Sequence, residues 1–122
     1  MSTKKRIKSE TNKAIDLCND ACVVCGWKRI DNNGESLLHG AHIKSFENID
    51  EDSYDDIVAL CPNCHTEYDH YLFYFSNDGK HKVIYQNDKY VFAPLFHKIN
   101  YIKKEYLAYS EYIFKKENKL LF

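Results

Sequence analysis

Apolar and polar positions alternate with two different periods along the chain. Over residues 4–19, Ile7, Thr11, Ala14, Ile15 and Cys18 fall near one stripe at helical spacing, which predicts an N-terminal helix. Asn19-Asp20 breaks it, Cys25-Gly26 reads as a tight knuckle turn, and Gly34 marks another turn in IDNNGE. Residues 36–43 (SLLHGAHI) read as a short strand with an irregularity at Gly40. A loop follows over about 45–55, and then the apolar run IVAL (57–60) delivers Cys61. Pro62 suits a first helical turn and predicts a helix to about Tyr71. Residues 72–86 (LFYFSNDGKHKVIYQ) carry β-rich arms on either side of Asn77-Asp78-Gly79, a hairpin signal, and Pro94 closes that region. Residues 99–117 predict a second long helix with Ile99, Ile102, Tyr106, Tyr109 and Ile113 on one face. That aromatic face reads as core packing rather than as a base-stacking platform. The sum is an α+β chain without internal repeats beyond two paired knuckles.

Length and composition narrow this reading. The 122 residues are one domain's worth, so a single domain over 1–122 is expected. With 44% hydrophobic and 29% charged residues the chain is not a disordered tail. No apolar run approaches the roughly 20 residues of a membrane span. The basic start MSTKKRIKSE has no apolar segment behind it, so it does not read as a signal peptide, and a cytoplasmic location is expected.

Charge is balanced overall and uneven locally. The 17 basic and 18 acidic residues give a net charge of −1, which excludes a strongly basic nucleic-acid binder but not a locally basic one. Lys4, Lys5, Arg6, Lys8 and Lys13 crowd the start, and Lys98, Lys103, Lys104, Lys115, Lys116 and Lys119 the end. Between them, Glu47, Asp50, Glu51, Asp52, Asp55 and Asp56 form an acidic stretch. The two basic ends can build a phosphate-binding face or be ordinary solvated helix faces. The acidic stretch would repel a phosphate backbone.

The cysteines carry the first chemistry. There are five, an odd number that argues against a disulfide framework in a chain without a secretory signal. Four form matched pairs, Cys22-Val-Val-Cys25 and Cys61-Pro-Asn-Cys64. A CxxC turn aims two thiolates at one metal, and two such turns give the tetrahedral sulfur cage that zinc prefers. A thioredoxin-like redox pair needs a single CxxC in a βαβ context, which is not present here. Cys18 is left over as a small core residue. The knuckles stand 35 residues apart, against about 15–20 in a plain zinc ribbon. The extra length holds the strand that ends in Ala41-His42-Ile43, and His65 directly follows the last cysteine. The cage therefore ties a strand bearing His42 to a helix start bearing His65.

Taken together, CVVCGW, GAHIKSF and DDIVALCPNCHTEYDHYLFYF resemble the HNH endonucleases, more narrowly their restriction-type members. The family pattern is a CxxC, an (A/H/D)HI strand, an Asn before an apolar LxxLC run, and CxxCH opening a helix. The resemblance covers about residues 18–78, and YLAYSEYIFKK is similar to the tail helix of restriction-type members, which often reads YLAYHREHVF.

The resemblance implies a ββα-metal core with a four-cysteine structural zinc site, flanked by an N-terminal helix, a β-hairpin and a C-terminal helix. It further implies a DNA endonuclease of bacterial restriction or anti-phage defence. A divalent ion (Mg²⁺, Mn²⁺, Ni²⁺ or Zn²⁺) would bind the scissile phosphate and stabilise the leaving 3′ oxygen, and a hairpin histidine would deprotonate the attacking water. By position, His42 would be the general base and His65 a ligand of the ion, with Asp69 one helical turn on as second ligand and His70 as a less well-placed substitute. Two departures stand out. The family's middle Asn falls at Asp56, which can accept the same Nδ1–H bond or bind the ion instead, and a frequent ligand position before the base is Ala41. His39, two residues earlier on the same side of the strand, can compensate for Ala41. These departures keep open a zinc-knuckle module that binds DNA or protein without cutting, and the near-zero net charge keeps open a nuclease subunit active only in a larger complex. The many tyrosines suit a homodimer interface as well.

Overall fold

The computed structural model describes residues 8–44 and 54–121. The basic residues Lys4, Lys5 and Arg6, the stripe position Ile7, and the acids Glu47, Asp50, Glu51 and Asp52 lie outside the described residues. Helix α1 (Lys8–Leu17) is followed by strand β1 (His39–His42), a 3-10 turn at Tyr54–Asp56 and strand β2 (Ile57–Leu60). Helix α2 (Pro62–Asp69) comes next, then strands β3 (Tyr74–Phe75), β4 (His81–Gln86) and β5 (Lys89–Pro94), and finally helix α3 (Lys104–Glu117). This is the expected α+β architecture, and β1, β2 and α2 are its ββα unit. None of the described helices is long and apolar enough to cross a membrane.

Strands β1 and β2 pair antiparallel, with His39 opposite Leu60 and His42 opposite Ile57. All four β2 residues are buried, which is why its sequence is continuously apolar rather than alternating. The strand expected over 36–43 is shorter because residues 30–37 fold back on themselves. Ile30 bridges Ser36, and the Asp31 carboxylate accepts the N–H groups of Asn33 and Glu35. Gly40 is not an irregularity in the ladder, where it sits in register opposite Ala59. It admits α1 instead: a Cβ at Gly40 would collide with the Thr11 methyl. On α1 the expected stripe is buried at Ala14, Ile15 and Cys18.

Cys61 is the N-cap of α2, with extended backbone and Pro62 in the first turn, as the sequence suggests. The helix stops at Asp69 because Tyr71 turns to φ +60°. The hairpin centred on Asn77-Asp78-Gly79 forms, pairing Tyr74 with Val83 and Phe75 with Lys82. A third strand extends it. Asn87 and Asp88, both at positive φ, make a two-residue turn that joins β4 to β5 with Gln86 opposite Lys89.

Helix α3 corrects the sequence reading most. It begins at Lys104 rather than at 99, and Ile99 and Ile102 are buried in the turn that precedes it. Its buried positions are Leu107, Ser110 and Phe114, whereas Tyr106, Tyr109 and Ile113 are half-buried. A serine sits at the centre of the buried face because its hydroxyl is used: Ser110 Oγ accepts the Phe75 N–H at 3.3 Å and lies 3.2 Å from the Tyr68 hydroxyl. Tyr68 in turn donates to the Ile43 carbonyl at 2.8 Å. Replacing Tyr68 with Phe leaves that buried carbonyl and Ser110 short of a partner. Urea unfolding is expected to show a loss of about 1–3 kcal/mol for Tyr68→Phe, and a smaller loss when Ser110→Ala is added to it than alone.

Candidate active site

The four paired cysteines converge. Their sulfur atoms all lie within 4.8 Å of one another, and none is in a disulfide. Cys25 Sγ stands 3.8 Å from Cys61 Sγ and 4.0 Å from Cys64 Sγ. Four metal–sulfur bonds of about 2.3 Å in a tetrahedron put the sulfurs about 3.8 Å apart. The donor set thus fits one tetrahedral ion. The first knuckle is shaped by Gly26, at φ +81°, whose N–H donates to the Cys22 carbonyl while the Phe96 ring covers the place of a Cβ. The Val23 N–H donates to the Ala59 carbonyl, which fastens this knuckle to β2. In the second knuckle the Cys64 N–H donates to Cys61 Sγ. Burial, followed by the charge of nearby Cys22, pushes the Cys64 thiol well above its ordinary range. Burial also opposes ionisation of Cys22, but N–H groups from Cys25, Cys61 and Val24 outweigh it and hold that thiol below the usual value. Crowded thiolates of this kind are relieved by a shared cation.

His42 and Asp56 form a second unit at the open end of the β1–β2 ladder. His42 Nδ1 is 2.9 Å from Asp56 Oδ2, and the Lys44 N–H donates to Asp56 Oδ1 at 2.9 Å. Asp56 is fully buried and its main chain is fixed by the bond from Ile43 N–H to its carbonyl. Burial raises the Asp56 carboxyl from its ordinary range, and the bonds from His42 and Lys44 pull it back down in part. Of the two roles open to Asp56 in the sequence, the geometry displays the histidine-orienting contact, with both carboxylate oxygens engaged. An acceptor-only carboxylate assigns the imidazole proton to Nδ1 and makes Nε2 the basic nitrogen.

The third unit joins β1 to α2. His39 Nδ1 lies 2.8 Å from His65 Nδ1, with the rings edge to face at 79°. On the other side of the His65 ring, Nε2 is 3.4 Å from Asp69 Oδ2. His39, His65 and Asp69 are therefore neighbours, and the His39 position two residues before Ala41 is what brings it there. His70 ends α2, with an exposed side chain and its N–H donating to the Thr66 carbonyl, while the Tyr71 N–H takes the Tyr68 carbonyl. Tyr68, Ser110 and the Lys44 N–H carry no sequence signal, since each acts through a main-chain bond that leaves no motif.

Comparison with known proteins bears on these units together. The family model for HNH endonucleases matches residues 22–76, a span that holds both knuckles, β1, β2, α2 and β3. Over residues 22–76 the chain is similar to the HNH endonucleases. A solved structure titled modification dependent TagI restriction endonuclease superposes on 92% of this chain with a TM-score of 0.73 and 21% identity. At that identity the likeness shows the fold. The chain spans 39% of that protein's length. No curated protein matches the chain. Within the matched segment, the cage is predicted to hold one divalent ion per chain. Metal analysis of the purified protein should find it, and Cys25→Ser or Cys64→Ser should lose it together with the cooperative thermal transition.

Proposed function

We propose that the chain is a metal-dependent endonuclease that hydrolyses DNA phosphodiester bonds in bacterial restriction or anti-phage defence. The observation that carries this reading is the His42–Asp56 pair, with its 2.9 Å bond, set in a segment that matches the HNH family. In this reading Asp56 orients His42, whose Nε2 takes a proton from the attacking water. A divalent ion held at His65, with Asp69 beside it, supplies charge neutralisation at the scissile phosphate and the leaving 3′ oxygen. The four cysteines hold structural zinc, and residues 1–122 act as one nuclease unit. The restriction role rests on the fold shared with the TagI restriction endonuclease.

A second reading follows from the 39% of that protein which this chain spans. Here the chain supplies the cutting unit of a larger assembly or homodimer, and target recognition lies elsewhere. The near-zero net charge supports it, because a chain without net positive charge binds DNA weakly on its own.

Plasmid nicking at low salt with Mg²⁺, Mn²⁺, Ni²⁺ or EDTA tests the first reading. Metal-dependent nicking by the wild type should fall about 10²–10⁴-fold in His42→Ala. Undiminished nicking in that variant would remove His42 as the base. Absence of nicking by folded wild type with every metal would favour a subunit awaiting its partner, or a binding module. Asp56 separates orientation from charge. Asp56→Asn should keep most of the nicking, since its amide oxygen still accepts from His42, but cost about 1–3 kcal/mol of stability because its NH₂ faces the Lys44 N–H. Asp56→Ala should lose the activity of the pair.

A further inference from the structure

Among the described residues, His39 and Asp69 approach His65 on opposite ring nitrogens. His39 stands 2.8 Å from Nδ1, and Asp69 stands 3.4 Å from Nε2. One ion cannot sit on both nitrogens of a single imidazole, so His39 and Asp69 cannot both share an ion with His65 in this arrangement. We infer that His39 is the second protein ligand of the divalent ion at His65, that Asp69 orients His65 from the far nitrogen, and that the resulting imidazole pair selects a borderline transition ion over Mg²⁺. The inference rests on the proposed nuclease reading and names the ligands of its ion.

Three observations support it. Two imidazole nitrogens bound at about 2.0–2.1 Å to neighbouring positions of one ion lie about 3 Å apart, close to the observed Nδ1–Nδ1 approach. The chain at that approach is rigid. His39 is opposite Leu60 in the ladder, Leu60 precedes Cys61, and Cys61 caps the helix that carries His65 and anchors the cysteine cage. Finally, ligating histidines commonly present their other nitrogen to a carboxylate that fixes ring and tautomer, which is the position of Asp69. Ala41 shows why the task falls to His39. It lies on the same side of β1 and is buried, with no ligand atom to offer. The donor set also decides the metal class. Imidazole suits Ni²⁺, Co²⁺ and Zn²⁺, whereas Mg²⁺ favours carboxylate and water oxygens.

Isothermal titration of Ni²⁺ and Mg²⁺ into full-length protein with its cysteine cage already filled tests this without reference to activity. The wild type should take up one further equivalent of Ni²⁺ and bind Mg²⁺ much more weakly. His39→Ala and His39→Gln should weaken Ni²⁺ by about 100-fold or more, beyond the roughly 10–100-fold expected for Asp69→Asn as an outer partner. Unchanged cage metal and far-ultraviolet circular dichroism in each variant show that the fold is kept. Wild-type Ni²⁺ affinity in His39→Ala, with binding abolished in His65→Ala, would overturn the inference while leaving the proposed function standing. The same holds if Asp69→Asn proves as damaging as His65→Ala and His39→Ala is silent. Equal affinity for Mg²⁺ and Ni²⁺ would overturn the metal preference. Absence of any further equivalent in the wild type would overturn both the inference and the ion site of the nuclease reading.

Discussion

Cys61 is the joint on which the rest of this molecule depends. It follows the last residue of β2, caps α2, accepts the Cys64 N–H at sulfur and the His65 N–H at its carbonyl, and is one corner of the cysteine cage. A four-residue buried strand and an eight-residue helix have little packing of their own to fix a mutual angle. A metal held at this corner would fix that angle with few residues, as small domains require. The first knuckle is drawn into the same joint by Val23 N–H on the Ala59 carbonyl. Because β1 is registered on β2, the positions of His39 and His42 relative to His65 follow from this corner.

A second constraint acts where β1 and β2 separate. The His42–Ile57 pair is the last rung, and the neighbouring carbonyls need partners other than the ladder. The Tyr68 hydroxyl takes up the Ile43 carbonyl and the Tyr101 hydroxyl the Ile57 carbonyl, at 2.8 and 2.6 Å. Tyr101 also contacts Cys18 of the segment that leaves α1, and Tyr68 meets Ser110 of α3. Both terminal parts of the chain thus reach the open end of the β1–β2 ladder, the first at Ile57 of β2 and the second at Ile43 beside His42, through tyrosines rather than through apolar contact alone.

Much of this was legible in the sequence for chemical reasons. Four thiolates can share an ion only at certain spacings, so the CxxC pairs announce the cage, and Pro62 after Cys61 announces the helix it caps. The grouping of His42 with Asp56 was open only through the resemblance, since residues fourteen positions apart carry no local signal. The start and face of α3 were misread for a physical reason. Pattern reading weighs Tyr106, Tyr109 and Ile113 by their apolar mass and passes over Ser110, whose burial comes from hydrogen bonds made by residues 35 and 42 positions away. The third strand was missed similarly: β5 is largely exposed on both faces, so its composition carries no alternation.

The departure from the family's Asn at Asp56 has a local logic. The position is fully buried and is approached by two donors, His42 Nδ1–H and the Lys44 N–H. A carboxylate offers an acceptor to each and brings no donor of its own. An amide has one acceptor oxygen and an NH₂ group, so one approaching donor would meet another donor at a fully buried position. An amide can also turn over and present its NH₂ to the ring, which would draw the imidazole proton to Nε2. The carboxylate permits no such exchange. It holds a single tautomer of His42, with the basic nitrogen at Nε2, and the burial that raises its own proton affinity is offset in part by the bonds from His42 and the Lys44 N–H.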